Sequence, residues 1–388
     1  MLIKKLEKQQ EKNIVEYALI FLILVIMAWM IKSFETQEYE YQRYETANIH
    51  YVKAQVMDIV EQELTLSGAE GEYFTGKQKV IVEIVEGNEK GKKCEIDNHI
   101  TVQHNVIVKK GSKVIVCADI PKNGEPYYTI YNYDRNNSIL GLLGCFLVLV
   151  IIIGRKKGFY SCLGLLFTVT MVICYLLPNL YDGKYAMIAA GITVIASTLV
   201  SCFCIGGLSK KTLIYTVNTT LGTFTAGVIY AIFSYILHIN GCNMDEAESL
   251  VLISQATGLQ MRGVLFAGIM VTSLGAVMDV AVSIGSALCE IREIDKNISS
   301  RSLFCSGMNI GKDMIGTMTN TLILAFAGEA VATLIVFISY GVQYHQLISS
   351  DYLTLELAKG LAGSTAVVLT VPISALICAI CYGKHKKS

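Results

Sequence analysis

An aspartate interrupts a long apolar run of the sequence, in the stretch GAVMDVAVSIGSALCE at 275–290. The run is long enough for a membrane-spanning helix, and a carboxylate inside such a helix usually faces a bundle interior or an aqueous cavity on a functional path. A buried carboxyl group can also load and release a proton near neutral pH. We therefore predict that Asp279 handles a proton or another ion.

Small and hydroxyl-bearing residues repeat on the same helical face as this aspartate. They recur at every third or fourth position, and the other faces carry Val, Ile, Leu, Ala and Met. The glycine beside the acid would allow another helix to approach closely. The members of this predicted stripe are Thr272, Gly275, Asp279, Ser283 and Ser286.

The next apolar run, KDMIGTMTNTLILAFAGEA at 312–330, carries a second polar stripe. Asp313, Thr317 and Thr321 are four residues apart, and Asn320 lies alongside them. We expect this stripe to meet the first one and to complete an ion or proton path. Asp313 stands at the expected start of its helix, where capping the helix N-terminus is an alternative role.

Two other polar residues in apolar runs are secondary candidates. Glu329 is a second acid deep in the run at 312–330. Asn218 lies in the threonine-rich run TLIYTVNTTLGTFTAGVIY. Threonines in membranes often bond to their own helix, whereas an amide in lipid needs a partner.

Three roles are open for the membrane aspartate: ion or proton handling, a hydrogen bond that only joins two helices, and aspartyl protease chemistry. The protease needs two acids at one depth, but Asp313 lies at the edge and the sequence GKD lacks the Gly-x-Gly-Asp form. No Walker-type GxxxxGK[ST] motif occurs, and the cysteine pairs CFC and CAIC have no partner motif nearby. The sequence therefore predicts no enzyme, no cofactor and no metal site.

The composition is that of a membrane protein. Of 388 residues, 53% are hydrophobic and only 16% are charged, where a soluble protein has roughly a quarter charged residues. The mean hydropathy is +0.49. The net charge is zero, so no nucleic-acid partner is expected.

Eight apolar runs are long enough to span a bilayer. Lysine and arginine collect in every second loop, which places both termini in the cytoplasm by the positive-inside rule. The first run follows a lysine-bearing start without a small-residue cleavage site, so we expect an uncleaved anchor. The runs are 14–31, 138–154, 159–177, 185–208, 212–238, 258–288, 314–339 and 357–382.

A polar segment of β character lies between the first two runs. Alternating stretches such as YVKAQVMDIV, KVIVEIVEG and HITVQHNVIVKKGSKVIVCADI predict short strands in a small OB-like barrel outside the cytoplasm. The expected organisation is an anchor at 1–35, the barrel at 36–136 and a seven-helix membrane domain at 137–388. Cys94 and Cys117 share the barrel, and the sequence leaves their pairing open.

Two connectors carry amphipathic patterns. The outer segment at 244–258, with DEAESLVLISQATG, and the cytoplasmic segment at 299–312, with SRSLFCSGMNIGKD, could each dip into the membrane as a half-helix. The simpler expectation for both is a plain amphipathic connector.

The stretches SQATGLQMRGVLFAGIMVTSLGAVMDVAVSIGSALCEI and SGMNIGKDMIGTMTNTLILAFAG closely resemble the YibE/F-like family of bacterial multi-pass membrane proteins. The resemblance implies a plasma-membrane location and an anchor, outer domain and bundle in that order, but no biochemical function. MDVAVSIGSALCEIRE and the threonine-rich run after it are also similar, locally, to the proton-conducting core of the SecD/SecF and RND proteins.

The expected function is therefore ion- or proton-coupled transport of an unknown small solute or ion, as a transporter or exporter component. The alternative is a membrane scaffold or assembly factor whose outer barrel binds a protein or envelope partner. The lipid bilayer is the one certain partner in either case, and the oligomeric state is left open by the sequence.

Overall fold

A computed structural model of the chain describes residues 2–37, 48–68, 73–87, 89–121, 126–183, 185–242, 244 and 246–383. The chain divides into two compact units. The first unit is helical and contains Met1–Tyr41 and Val150–Ser388. The second unit contains Gln42–Leu149, which forms a β-sheet and the first turns of a helix.

Long apolar helices dominate the structure. Seven helical runs in the described residues are long and apolar enough to cross a membrane, which agrees with the predicted helical membrane protein. The helices are α1 Leu2–Glu35, α2 Asn136–Met171, α3 Leu177–Tyr181, α4 Ala186–Gly206, α5 Lys210–Ile236, α6 Ala247–Thr257, α7 Met261–Ile294, α8 Ser300–Ser339, α9 Tyr344–Ile348 and α10 Asp351–Tyr382.

The second of these runs, Asn136–Tyr181, contains two of the predicted spans. Its 46 residues would form a straight helix of about 70 Å, roughly twice the thickness of a bilayer core. The helix is interrupted at Arg155, which has φ 50° and ψ −131°. A side chain on Gly158 would collide with the carbonyl oxygen of Val150, so the chain folds back sharply at this point.

Helix α7 lies at the centre of the membrane bundle, against α4, α5, α8 and α10. Glycines allow these helices to pack closely. A side chain on Gly222 of α5 would collide with Thr370 of α10 and Val277 of α7. Gly311 of α8 faces Val371 of α10 in the same way. Because each site has room only for hydrogen, these glycines set the spacing of the helices.

Both expectations for the segment 299–312, a half-helix that dips into the membrane and a plain amphipathic connector, are wrong. This segment is the first part of α8, which begins after the cap residue Ser299, whose hydroxyl accepts from the amide of Ser302. Gly307 and Gly311 in the segment pack against α10, so it is an ordinary part of the bundle. The other connector contains α6, whose 11 residues span about 16 Å, too short to cross a bilayer.

The β unit is a curled antiparallel sheet of five strands in the order β3-β2-β1-β4-β5. The edge strands β3 and β5 approach each other. Within the described residues, no ladder of hydrogen bonds joins them. The strands are β1 Ile49–Ser67, β2 Tyr73–Ile84, β3 Lys93–Ile100, β4 Lys113–Asp119 and β5 Tyr127–Tyr133.

One predicted strand of this unit is absent. The stretch HITVQHNVIV contributes only its first two residues to β3, and 101–110 is irregular. Buried Gln78 replaces the missing ladder, because its side chain accepts from the amide of Val108 at 3.0 Å and donates to the carbonyl of Val108 at 3.1 Å. Cys94 and Cys117 are both free thiols.

Candidate functional site

The aspartate stripe lies on an open side of α7 rather than in its packed core. Thr272, Gly275, Asp279 and Ser283 are all exposed, whereas the neighbouring Val280 and Ala281 are completely buried. The glycine has open space where a side chain would stand. The stripe is therefore a continuous polar surface along one edge of the central helix.

Asp279 borders a cavity of about 310 Å³ between α7, α4 and the second half of α2. Hydroxyl groups from the neighbouring helices complete the polar part of its wall, and no hydrogen bond or ion pair of the Asp279 carboxylate is present within the described residues. We call this space the aspartate cavity. Its polar wall residues are Tyr160, Ser161, Thr168, Ser201 and Asp279.

Thr272, two turns away on α7, borders a second cavity of about 310 Å³ between α7, α8 and α10. Three ionisable side chains line it: Glu329 of α8 and Glu356 and Lys359 of α10. The rest of the wall is mainly aliphatic, with one aromatic ring from Phe326. We call this space the ion-pair cavity.

Glu356 and Lys359 form an ion pair along α10. Glu356 Oε1 lies 2.7 Å from Lys359 Nζ, and the two side chains are 14% and 29% exposed. The other carboxylate oxygen of Glu356 is buried and has no hydrogen-bond partner among the described residues. Charges inside membrane helices are costly and usually mark ion or substrate pathways. With Glu329 ionised, the three side chains carry a net charge of −1.

The polar stripe of α7 borders both cavities. Gly268 and Thr272 border the ion-pair cavity, and Gly275 and Asp279 border the aspartate cavity. Thr272 and Asp279 are seven residues apart, or about 10 Å along the helix. One face of α7 therefore borders both cavities, whose acidic and basic side chains are Asp279, Glu329, Glu356 and Lys359.

The stripe of α8 does not meet the stripe of α7, contrary to the sequence-based expectation. Leu322, Phe326 and Glu329 face the ion-pair cavity, and by helical geometry the predicted stripe points to the opposite side. The apolar side of α8 is the one that packs against α7 and α10, so the polar side is left outward. The outward residues, all exposed, are Asp313, Thr317, Asn320 and Thr321.

The capping role considered for Asp313 is also wrong, because α8 begins at Ser300 and the aspartate lies well inside it. The hydroxyls of Thr317 and Thr321 donate to backbone carbonyls of their own helix. These two threonines therefore need no partner from outside α8.

The remaining predicted residues lie away from both cavities. Ser283 is exposed and Ser286 is half-buried in the last turns of α7. Asn218 is completely buried between α5 and α10, where its amide nitrogen donates to the sulfur of Cys378 at 3.5 Å. Its amide oxygen has no partner in the described structure.

The sequence-based prediction does not include the ion pair, because the apolar run that predicts this helix begins only at 357. The helix begins six residues earlier, after the cap residue Ser350, whose hydroxyl accepts from the amide of Leu353. The signal was present in LELAKG, since a glutamate three residues before a lysine on a helix forms a pair. Glu329, a secondary candidate, does lie in the same cavity.

These features define a polytopic helical membrane protein with a small β-sheet unit and with two largely apolar cavities beside its central helix that contain ionisable side chains. Residues 142–384 match the sequence profile described as YibE/F-like protein, and the chain belongs to this family. No curated protein and no solved structure matches the chain. The local likeness to the SecD/SecF core stays a prediction.

Proposed function

We propose that this protein is an ion- or proton-coupled transporter, or the membrane component of an exporter, with Asp279 as the proton carrier. The observation that supports this proposal most strongly is the polar face of α7, which borders both the aspartate cavity and the ion-pair cavity. Asp279 of α7 and three charged side chains of α8 and α10 thus lie in cavities that border one face of the central helix. Such groups are costly inside a membrane, and they usually mark ion or substrate pathways.

In this proposal the ion-pair cavity takes up the ion, and the aspartate cavity holds the proton carrier. The ion-pair cavity receives a cation or proton, and Glu329 accepts it because Glu356 is already paired with Lys359. The hydroxyls of Ser161, Ser201 and Thr168 then surround Asp279 and solvate its charged form or pass a proton along. The coupled solute is an unidentified small molecule or ion.

The proposed topology has eight spans with both termini in the cytoplasm, and residues 36–136 outside, in the bacterial plasma membrane. The break at Arg155 supports two spans within Asn136–Tyr181. The basic sequence at 155–157 then forms a cytoplasmic turn, in agreement with the positive-inside rule. Family membership supports the membrane location.

Proton flux into proteoliposomes tests this function. The purified protein would be reconstituted with a pH-sensitive dye inside, and flux recorded after a pH gradient is imposed. We expect flux in the wild type, at least tenfold less in Asp279→Asn, and unchanged flux in Glu290→Gln, which removes an exposed acid of the same helix. Absence of flux in the wild type, or full flux in Asp279→Asn, would contradict the proposal.

An exposed aromatic patch supports the second candidate, a scaffold whose outer unit binds a protein or envelope partner. Tyr51 and Tyr131 are 58% and 56% exposed and stack edge to face, with ring centroids 5.0 Å apart. Tyrosines on a rigid sheet are typical of binding surfaces. A photocrosslinker at position 51 should give one specific adduct that Tyr131→Ser removes, whereas a crosslinker at the exposed position 61 should give none.

A further inference from the structure

Two exposed lysines line a cavity at one end of the helical bundle. The cavity has a volume of about 230 Å³ and lies between α1, the second half of α2 and the end of α4. Lys156 and Lys157 follow the break in α2 at Arg155, and Gly207 in the opposite wall caps the end of α4. Because a helix break and a helix end both lie here, we place this cavity at the boundary of the membrane. We call it the lysine cavity.

The positive charge of the lysine cavity is not matched by the protein. Lys156 and Lys157 form no ion pair within the described residues, whereas Lys211, at the start of α5, pairs with Glu293 at 2.8 Å. Among the described residues, Glu16 of α1 is the one acid that lines the cavity. Two amines against one carboxylate leave at least one positive charge without a counter-charge, which favours an anionic ligand.

An apolar groove borders the lysine cavity. It has a volume of about 380 Å³, lies between α1, α4 and α5, and shares Phe203 and Gly207 with the cavity. Its walls are almost entirely apolar, and the large side chains of Leu22, Ile26 and Leu199 are exposed in it. We call it the α1 groove. Such a surface suits a hydrocarbon chain.

The two spaces together have the length of one leaflet of a bilayer. Glu16 in the lysine cavity and Ile26 in the α1 groove are ten residues apart on α1, or about 15 Å along the helix. Half of the hydrocarbon core of a bilayer is also about 15 Å thick. A ligand that fills both spaces therefore needs an anionic end at the membrane boundary and a hydrocarbon part about one leaflet long.

We propose that the lysine cavity and the α1 groove form a binding site for one anionic phospholipid. Its phosphate lies against Lys156 and Lys157, and one acyl chain lies in the groove. Glu16 accepts a hydrogen bond from a hydroxyl of the head group, which favours a lipid of the phosphatidylglycerol type over a zwitterionic one. A free phosphate would use the lysines but not the groove. This site does not depend on the proposed transport function.

Lipid titrations followed by native mass spectrometry test the charged end of the site. The purified full chain would be titrated with phosphatidylglycerol or phosphatidylcholine carrying the same acyl chains, and the dissociation constant of the first bound lipid measured. We expect phosphatidylglycerol to bind about tenfold more tightly, and Lys156→Gln with Lys157→Gln to remove this preference. Lys296→Gln with Arg301→Gln, which removes two exposed basic residues where α7 connects to α8, should keep it.

A matched pair of tryptophan variants tests the apolar end of the site. Leu22 and Leu24 of α1 are 50% and 48% exposed, and of these two only Leu22 lines the α1 groove. Leu22→Trp should fill the groove and raise the dissociation constant of phosphatidylglycerol several-fold, whereas Leu24→Trp should leave it unchanged. An excess of glycerol phosphate should not displace the lipid.

Four results would overturn the proposal. The first two are equal binding of the two lipids by the wild type and an unchanged preference in the double lysine variant. The third is equal binding of phosphatidylglycerol by Leu22→Trp and Leu24→Trp, which would leave the groove without a role. The fourth is displacement of the lipid by glycerol phosphate, which would indicate a site for a soluble anion instead. All the substituted side chains are exposed, so the packed core stays intact in each variant.

Discussion

Glu356 and Lys359 form an ion pair one turn apart on α10, with 2.7 Å between Oε1 and Nζ, at the wall of a cavity inside the membrane bundle. The second oxygen of Glu356 is buried, and no hydrogen-bond partner for it lies in the described part of the chain. Glu329 lines the same cavity, and no ion pair joins it to another side chain within the described residues. This relationship explains how α10 can carry two charges so close to α7.

Removing one partner of this pair should destabilise the protein more than removing both. Lys359→Met leaves a mostly buried carboxylate without its cation, which should cost about 1–3 kcal/mol of unfolding free energy, below the value for a fully buried pair because Lys359 is partly exposed. The double variant Glu356→Leu with Lys359→Met should lose less than 1 kcal/mol. Denaturation in detergent measures both, and strictly additive losses would contradict the pairing.

The contact of α8 with α10 depends on a glycine. In Gly311→Ala the new methyl group would collide with Val371, so we expect a loss of about 1–3 kcal/mol and a thermal midpoint several degrees lower. Gly144→Ala is the matched control, because nothing lies within 4 Å of its added carbon and alanine favours the helix. Equal midpoints for the two variants would show that α8 does not pack in this register.

The edge of the β unit should weaken in acid. The amine of Lys92 and the hydroxyl of Tyr128 donate to Glu89, and these hydrogen bonds lower the pKa of its carboxyl group. A lowered acid pKa contributes stability above the ordinary pKa near 4.5 and loses it as pH falls through the folded value. Because the groups are partly exposed, the effect is below about 1 kcal/mol.

Hydrogen exchange of β5 measures this change. Protection of the amides of Tyr127–Tyr133 should fall between pH 5 and pH 3 in the wild type by a few-fold more than in Glu89→Gln. Tyr128→Phe should remove part of the difference, since it deletes one of the donors. An identical pH profile in the wild type and in Glu89→Gln would rule out the contribution of this carboxylate.

The sequence predicted the class of the fold because apolar length and composition are local properties. The polar stripe of α7 followed from residue spacing alone, and the structure places it on one exposed face. The side of the bundle to which the α8 stripe points could not be predicted from the sequence. The helical period shows which residues share a face, but it does not show which helix packs against that face. That neighbour is set by Gly307 and Gly311, whose role depends on contacts with a helix sixty residues later.

Two other errors have the same kind of cause. Hydropathy alone placed the start of α10 after Glu356, since a charged residue ends an apolar run, whereas the helix starts at the Ser350 cap. The stretch at 101–110 alternates like a strand, but the side chain of Gln78 takes over its hydrogen bonds. The start of α10 and the irregular segment 101–110 both depend on hydrogen bonds that the hydrophobic pattern of the sequence does not show.

Currents after a pH jump test the central claim, that the polar face of α7 between the two cavities is the ion path. Proteoliposomes on a solid-supported membrane would be exposed to a step from pH 7.5 to pH 6.5. We predict a transient current in the wild type and in Glu290→Gln, and its loss in both Asp279→Asn and Glu329→Gln. A current of full size in either acid variant, or none in the wild type, would contradict the account.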